Sequence, residues 1–313
     1  MKKCVTLVAP FYNESGNVLE FFRRVALVAD SLPRYRFEVV AVNDGSRDGT
    51  WAELLQARAL HPWVHLVDLS RNFGKEAALT AGLDRANGDA VVPIDSDLQH
   101  PPELLAQMLE QWEQGAEVVL AQRTDRATDG RLQKLSATSF YRFHNKISNV
   151  QVPMDVGDFR LMDRRVVDAL RRLPENHRFM KGLFAWVGFR TVTIPYTNAR
   201  RHAGVSSFNG WKLWNLALEG ITSFSTAPLK IWTYIGMAVS ALSLMYAMLI
   251  VVDTLVEGVD VPGYASLMAG IMFIGGVQLI GIGVLGEYVG RIYHEVKRRP
   301  VYLVREEHER DQA

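Results

Sequence analysis

Cysteine is almost missing from this chain. Cys4 is the only one in 313 residues, so no internal disulfide can form, which fits a reducing compartment. An excess of charge is missing too. Thirty-five basic residues against 34 acidic ones leave a formal net charge of +1, which argues against nucleic acid, with its need for a strongly basic face, as the main partner. No GxGxxG follows the first apolar run, "CVTLVAPF", so a dinucleotide cofactor is not expected, and "GKEAAL" lacks the glycine spacing of a phosphate-binding loop. The histidines and the lone cysteine show no zinc-like spacing. The start, "MKKCVTLVAPFYNE", has too short an apolar run for a signal peptide, so the chain is expected to begin in the cytoplasm.

Long apolar runs, by contrast, are present near the end. Residues 231–252, "IWTYIGMAVSALSLMYAMLIVV", carry no charge. As a helix they extend about 33 Å at ~1.5 Å per residue, enough for a hydrocarbon core of roughly 30 Å. A second run from Tyr264 to Gly286 has only Gln278 as a strongly polar member. Arg200, Arg201, Lys212 and Lys230 precede the first run, and Arg291, Lys297, Arg298 and Arg299 follow the second. The connecting "DTLVEGVDVPG" has Asp253, Glu257 and Asp260 but no Lys or Arg. The positive-inside rule then predicts a two-span hairpin with both termini cytoplasmic and the acidic loop outside. Two spans suit anchoring better than transport. Ala269, Gly276, Gly283 and Gly290 recur every seven residues, giving a small face for close helix approach and the expectation of a homo-oligomer.

Before residue 200 the pattern changes. "CVTLVAPFYNE", "FEVVAVNDGSRDGT", "VHLVDLSRNFGK" and "AVVPIDSDLQ" each read as a β-branched run followed by a polar loop. Nearly continuous apolar runs mark parallel strands covered on both faces. Helical stretches at Val18–Ser31, Thr50–Leu60, Glu76–Arg85 and Pro102–Gln114 separate them, the signature of βαβ units. Asn, Asp, Gly, Arg and Lys cluster at the carboxyl ends of these strands, where open α/β sheets bind ligands. Burying an unpaired carboxylate is costly, so Asp95 and Asp97 in "VVPIDSDLQHPPELL" must sit at a strand exit and face something positive. With Gln99 they offer oxygen donors only, a set suited to Mg²⁺ or Mn²⁺. His100, Pro101 and Pro102 are expected to end the strand and open a helix.

The segments "APFYNE", "VNDGSRDGT", "SRNFGKEAAL", "IDSDLQHPPE", "GDFRL" and "RRHAGVSSF" occur in the order seen in glycosyltransferases of family 2 acting on polyprenyl phosphates. The chain resembles dolichyl-phosphate mannose synthases, and more closely the bacterial bactoprenol glucosyltransferases with a two-span anchor. The resemblance covers about residues 4–300. It implies a Rossmann-like, mostly parallel GT-A domain over residues 1–205, an amphipathic interfacial helix over 206–230, a transmembrane hairpin over 231–290 and a charged cytoplasmic tail over 291–313. It further implies inverting transfer from a nucleotide sugar, UDP-glucose first, to undecaprenyl phosphate at the bacterial inner membrane. By that resemblance Pro10, Tyr12, Glu14, Asp44, Lys75, Asp95 and Ser96 bind the nucleotide sugar, and Asp95, Asp97 and Gln99 hold the metal ion. Asp97 and Asp158 are the catalytic candidates.

The acceptor is a phosphate already largely ionised at neutral pH, so the difficulty is bringing two anions together. Arginine forks answer that need, and Arg123, Arg131 and Arg201 are the candidates, with Ser206 as a neutral donor. General-base work on such a phosphate is hardly needed, so Asp158 is expected to orient the acceptor or an arginine, unless it simply pairs with Arg160. Ser207 stands where relatives often carry lysine, a loss that Arg200 or Lys212 offsets, and no Arg-Trp dipeptide of the polymerising relatives occurs. Single transfer is therefore favoured. Two segments are expected to meet the membrane. One is basic and aromatic, with Lys134, Arg142 and Lys146 beside Phe140, Tyr141 and Phe143. The other is a stripe of Trp211, Trp214, Leu218 and Ile221. Other readings are a mannose or aminoarabinose donor, a non-catalytic nucleotide-sugar-binding scaffold and a flippase subunit.

Overall fold

A computed structural model describes residues 2–123, 156–176, 178, 180–196, 227–257 and 263–309. The described strands are β1 (Lys3–Phe11), β2 (Tyr35–Asn43), β3 (Val64–Leu69), β4 (Ala90–Pro93), β5 (Val118–Arg123), β6 (Val156–Asp163), β7 (Thr191–Tyr196) and β8 (Val304–His308). They form one sheet in the order β7-β5-β6-β4-β1-β2-β3-β8. β3, β2, β1 and β4 are parallel; only β6 and β8 run against the rest. The chain order reverses between β1 and β4, the switch point at which such sheets open a crevice at their carboxyl ends.

The continuous apolar runs are explained by cover on both faces. In β1, Leu7 and Val8 are both 0 % exposed. Leu7 joins the cluster of Phe11, Phe21, Val39 and Val92, whereas Val8 faces Leu79, Leu83 and Val91 on the other side. The first face is covered by α1 (Val18–Ser31) and α4 (Leu105–Glu113) together with α2 (Thr50–Leu60). Phe11 meets Phe21 edge-on at 5.5 Å, a favourable aromatic geometry. The second face takes α3 (Lys75–Arg85), α5 (Arg164–Arg171) and α6 (Met180–Trp186). α3 lies so close to the sheet that a β-carbon on Gly82 would stand 2.2 Å from Val8 Cγ1; only glycine fits there.

Two long helices follow, α7 (Ala227–Glu257) and α8 (Tyr264–Val296), and Gly281 of α8 lies beside the Trp232 ring of α7. Among the described residues, one helical stretch is long and apolar enough to cross a membrane, Phe273–Val296. It begins later and ends later than the run read from the sequence. The charged tail also differs from expectation. α8 continues to Val296, and residues 304–308 return to the sheet as β8, paired with β3. Its sequence, "VREEH", suits an edge strand, where charged side chains discourage further pairing. The stretch around Lys134–Lys146 and the stripe of Trp211, Trp214, Leu218 and Ile221 lie outside the described residues.

Candidate active site

The crevice at the switch point is a cavity of about 780 Å³. Pro10, Tyr12 and Glu14 line it from the end of β1, Asp44 from β2, Lys75 from α3, and Asp95, Ser96 and Asp97 from beyond β4. All seven residues expected to bind a nucleotide sugar are thus brought to one wall, with Asp97 beside them. Gln99 is half-buried next to them and donates its backbone N–H to Asp97 Oδ1 at 3.1 Å.

Local backbone geometry sets this wall. Leu98 has φ +60 and a side chain 3 % exposed, a left-handed conformation that a bulky residue adopts only when its surroundings enforce it. The turn places Asp97 and Gln99 on either side of a buried anchor. Gly45 has φ +62, and a β-carbon there would stand 2.3 Å from the Arg71 carbonyl carbon, so the loops after β2 and β3 meet backbone to backbone. Asp44 seals that junction. It is 2 % exposed, its Oδ1 accepts from Phe73 N–H at 2.7 Å, and its Oδ2 accepts from Gly74 N–H at 2.9 Å and Asn72 Nδ2 at 3.0 Å. Burial raises its pKa, opposed by the Phe73 and Gly74 amides.

The centre of charge is Lys75. Its ammonium lies 2.6 Å from Asp95 Oδ1 and 2.8 Å from Asp158 Oδ2, joining the β4 exit to β6. Burial pushes the Asp158 carboxyl up, but Lys75, Lys181 and Arg160 outweigh it and hold it at about 2. Lys75 is raised above the ordinary lysine value, because Asp95 and Asp158 overcome the effect of burial. Asp158 therefore pairs with Lys75 and not with Arg160, which donates to Gly157 O at 2.7 Å and lies 4.1 Å over the Phe184 ring. The remaining oxygen of Asp158, Oδ1, is buried without a hydrogen-bond partner among the described residues.

Some members of this centre escaped the sequence reading. His100, expected only to end a strand, stacks on Phe159 at 5.0 Å, and its Nδ1 stands 3.7 Å from Asp95 Oδ2. Burial lowers its pKa, so it is neutral at pH 7. Glu76 is pushed up to about 7, first by burial and then by the charge of Asp158. Asn72, Phe73 and Gly74 lay within the quoted "SRNFGK" but had no role assigned. Among the acceptor candidates, Arg123 ends β5, opposite Tyr196 of β7, and its side chain is outside what is described. Arg131, Arg201 and Ser206 lie outside the described residues altogether.

Among the described residues no group of three His, Cys, Asp or Glu side chains is arranged to hold a metal ion. The oxygen set of Asp95, Asp97 and Gln99 nevertheless fits a hard cation. Asp95 Oδ2 meets only His100 Nδ1 at 3.7 Å among the described residues, so it retains lone pairs for a ligand.

The family described as Glycosyl transferase family 2 matches residues 6–171, and the GtrB C-terminal hairpin family matches residues 227–292. The chain is 53 % identical over 304 residues to the SfII prophage-derived bactoprenol glucosyl transferase of Shigella flexneri, covering 97 % of this chain and 98 % of that one. It is 50 % identical over 301 residues to the prophage bactoprenol glucosyl transferase homolog of Escherichia coli K12, covering 96 % and 98 %. Among solved structures, a mannosyltransferase from Pyrobaculum calidifontis in complex with GDP-Man and Mn²⁺ aligns with TM-score 0.48 at 17 % identity, over 92 % of this chain and 88 % of that one.

Proposed function

Since this chain belongs to glycosyl transferase family 2 and is a glycosyltransferase of the polyprenyl-phosphate kind, we propose that it moves one glucosyl group from UDP-glucose to undecaprenyl phosphate, with inversion. The reaction takes place at the cytoplasmic face of a bacterial inner membrane. One observation carries the reading: Asp95 and Asp158 meet on Lys75 at 2.6 and 2.8 Å beside a cavity of about 780 Å³. An acidic rim and a cation at its centre suit a ligand that carries both a sugar and a diphosphate.

Pro10, Tyr12, Glu14 and Asp44 take the base and ribose, with Ser96 nearby. Asp95, Asp97 and Gln99 hold Mg²⁺ or Mn²⁺, which when bound supplies positive charge opposite the departing nucleoside diphosphate. Lys75 keeps Asp158 ionised and aimed. A carboxyl held at about 2 is a poor general base at neutral pH, and the acceptor phosphate needs none. Asp158 acts by position: its unpartnered Oδ1 orients the acceptor or an arginine beside it. Arg123, Arg131, Arg201 and Ser206 gather the acceptor phosphate. α7 and α8 form the two-span anchor, with both termini cytoplasmic and copies meeting through the glycine face.

The test is transfer of labelled glucose from UDP-glucose into a chloroform-extractable product by membranes carrying this protein, with GDP-mannose as the competing donor. Label from UDP-glucose alone, lost with EDTA, supports the reading; label from GDP-mannose alone overturns the sugar assignment. Asp158→Asn is expected to lower kcat about 100-fold, within the range seen when one transition-state contact is removed, while UDP-glucose still binds. Near-normal turnover would remove Asp158 from the site.

A further inference from the structure

The strand that closes the sheet comes from beyond the long helices, and it grips the donor cleft from behind. β8 runs antiparallel to β3, with Asp68 opposite Glu306 and Leu69 opposite Val304. Where β3 ends, the chain is held on both sides. Ser70 N–H donates to Leu303 O at 2.8 Å, and Ser70 O accepts from Arg305 Nη2 at 2.7 Å. The same guanidinium reaches Asp68 Oδ2 through Nη1 at 3.2 Å. Asp68 is 2 % exposed, and its other oxygen accepts from Asn43 Nδ2 at 2.7 Å.

Both contacts lead into the cleft. Asn43 immediately precedes Asp44. Ser70 opens the loop whose Phe73 and Gly74 amides hold Asp44, and which ends at Lys75, the bridge between Asp95 and Asp158. Arg305 therefore touches both halves of the junction, the β2 exit through Asp68 and the β3 exit through Ser70, without lining the cavity itself. Packing does not explain it, because its side chain is 58 % exposed. Losing it would leave a buried Asp68 carboxylate oxygen unpaired and the Ser70 carbonyl without its side-chain donor, and a buried polar group without a partner drives local rearrangement. The rest of the strand is fastened independently: Arg85 pairs with Glu307 at 2.8 and 2.9 Å, and Tyr302 donates to Asp84 at 2.8 Å.

We infer that β8 is a working part of the donor site, and that Arg305 is a positioning residue for donor binding which acts through Asp68 and Ser70. The inference rests on reading the cleft as the donor's, so its test includes a readout that does not. In the full chain in detergent, Arg305→Met is expected to raise the KM for UDP-glucose and the Kd for UDP about tenfold, with kcat within twofold. Hydrogen exchange at the Phe73 and Gly74 amides should quicken about tenfold while that of β1 is unchanged. Arg305→Lys, which keeps one charged donor, should recover most of both effects. Arg58→Met, which removes a contact to Glu309 O at 2.8 Å away from the loop, should change neither. Unaltered exchange at Phe73 and Gly74 overturns the role of Arg305. Quickened exchange across the whole sheet also overturns it, in favour of a general fastening. Quickened exchange at the loop with unaltered affinity for UDP overturns the assignment of the cleft to the donor.

Discussion

The same residue types meet opposite surroundings in the two parts of this molecule. Leu7, Leu66 and Leu69 of the sheet are 0 % exposed, whereas Leu242, Leu255 and Leu279 of the long helices expose 60, 80 and 70 %. In the α/β body the apolar side chains of the central strands pack against others, and the sheet is covered on both faces. In α7 and α8 most of the described apolar side chains are exposed, and an apolar surface of that extent calls for lipid or another protein chain. The body therefore draws its stability from apolar burial within itself. The described apolar side chains of the helices find no such cover within this chain.

This division can be broken by experiment, beginning with the largest effect. Asp97→Ala should lower turnover by about 10² to 10³-fold, as expected when one electrostatic contact to the transition state is lost. Extraction from membranes by carbonate or detergent should be unchanged, so an equal loss of membrane retention would contradict the division. Truncating leucines comes next. Leu7→Ala is expected to cost about 2–5 kcal/mol of stability in denaturant titrations. Leu279→Ala should change unfolding in detergent micelles by less than about 1 kcal/mol, because it leaves no cavity. Comparable losses at the two positions would place Leu279 in a packed core.

A last effect concerns Glu76. Its carboxyl is pushed up to about 7 from an ordinary 4.5. Between those values the folded chain holds a proton that the unfolded chain has released, so stability falls as pH rises through this window and is level above it. At about 1.4 kcal/mol for each tenfold change, the penalty at pH 8 is on the order of 3 kcal/mol. Glu76→Gln should therefore raise Tm near pH 8, flatten the pH dependence above pH 5, and leave Tm near pH 4 unchanged. A variant that keeps the slope would mean that another group carries it.

Much of the body was legible because its signals are local. Periodicity and turn residues marked α1 and α2 at the boundaries observed, and α3 begins one residue earlier than read, at Lys75. The residues lining the cavity were legible as a cluster because they follow the carboxyl ends of β1, β2, β3 and β4. Partnership over distance was not. Nothing in "SRNFGK" or "VGDFRL" alone says that Lys75 meets Asp158, since that contact depends on β6 inserting beside β4 in the opposite direction. His100 was read for its neighbours Pro101 and Pro102, while its ring turns inward onto Phe159. β8 was hidden by its own charges: three of its five residues are Arg or Glu, which reads as a solvated tail until an edge of the sheet is there to receive it.

That last strand orders events during synthesis. Residues 304–308 leave the ribosome after both long helices, so the edge of the sheet stays open, and the Ser70 peptide untied, until those helices have been made. Domains generally fold as units while the chain emerges. Here the strand that completes the edge of the described sheet arrives only after α7 and α8 have been made, so the α/β body closes late and not as its first strands emerge.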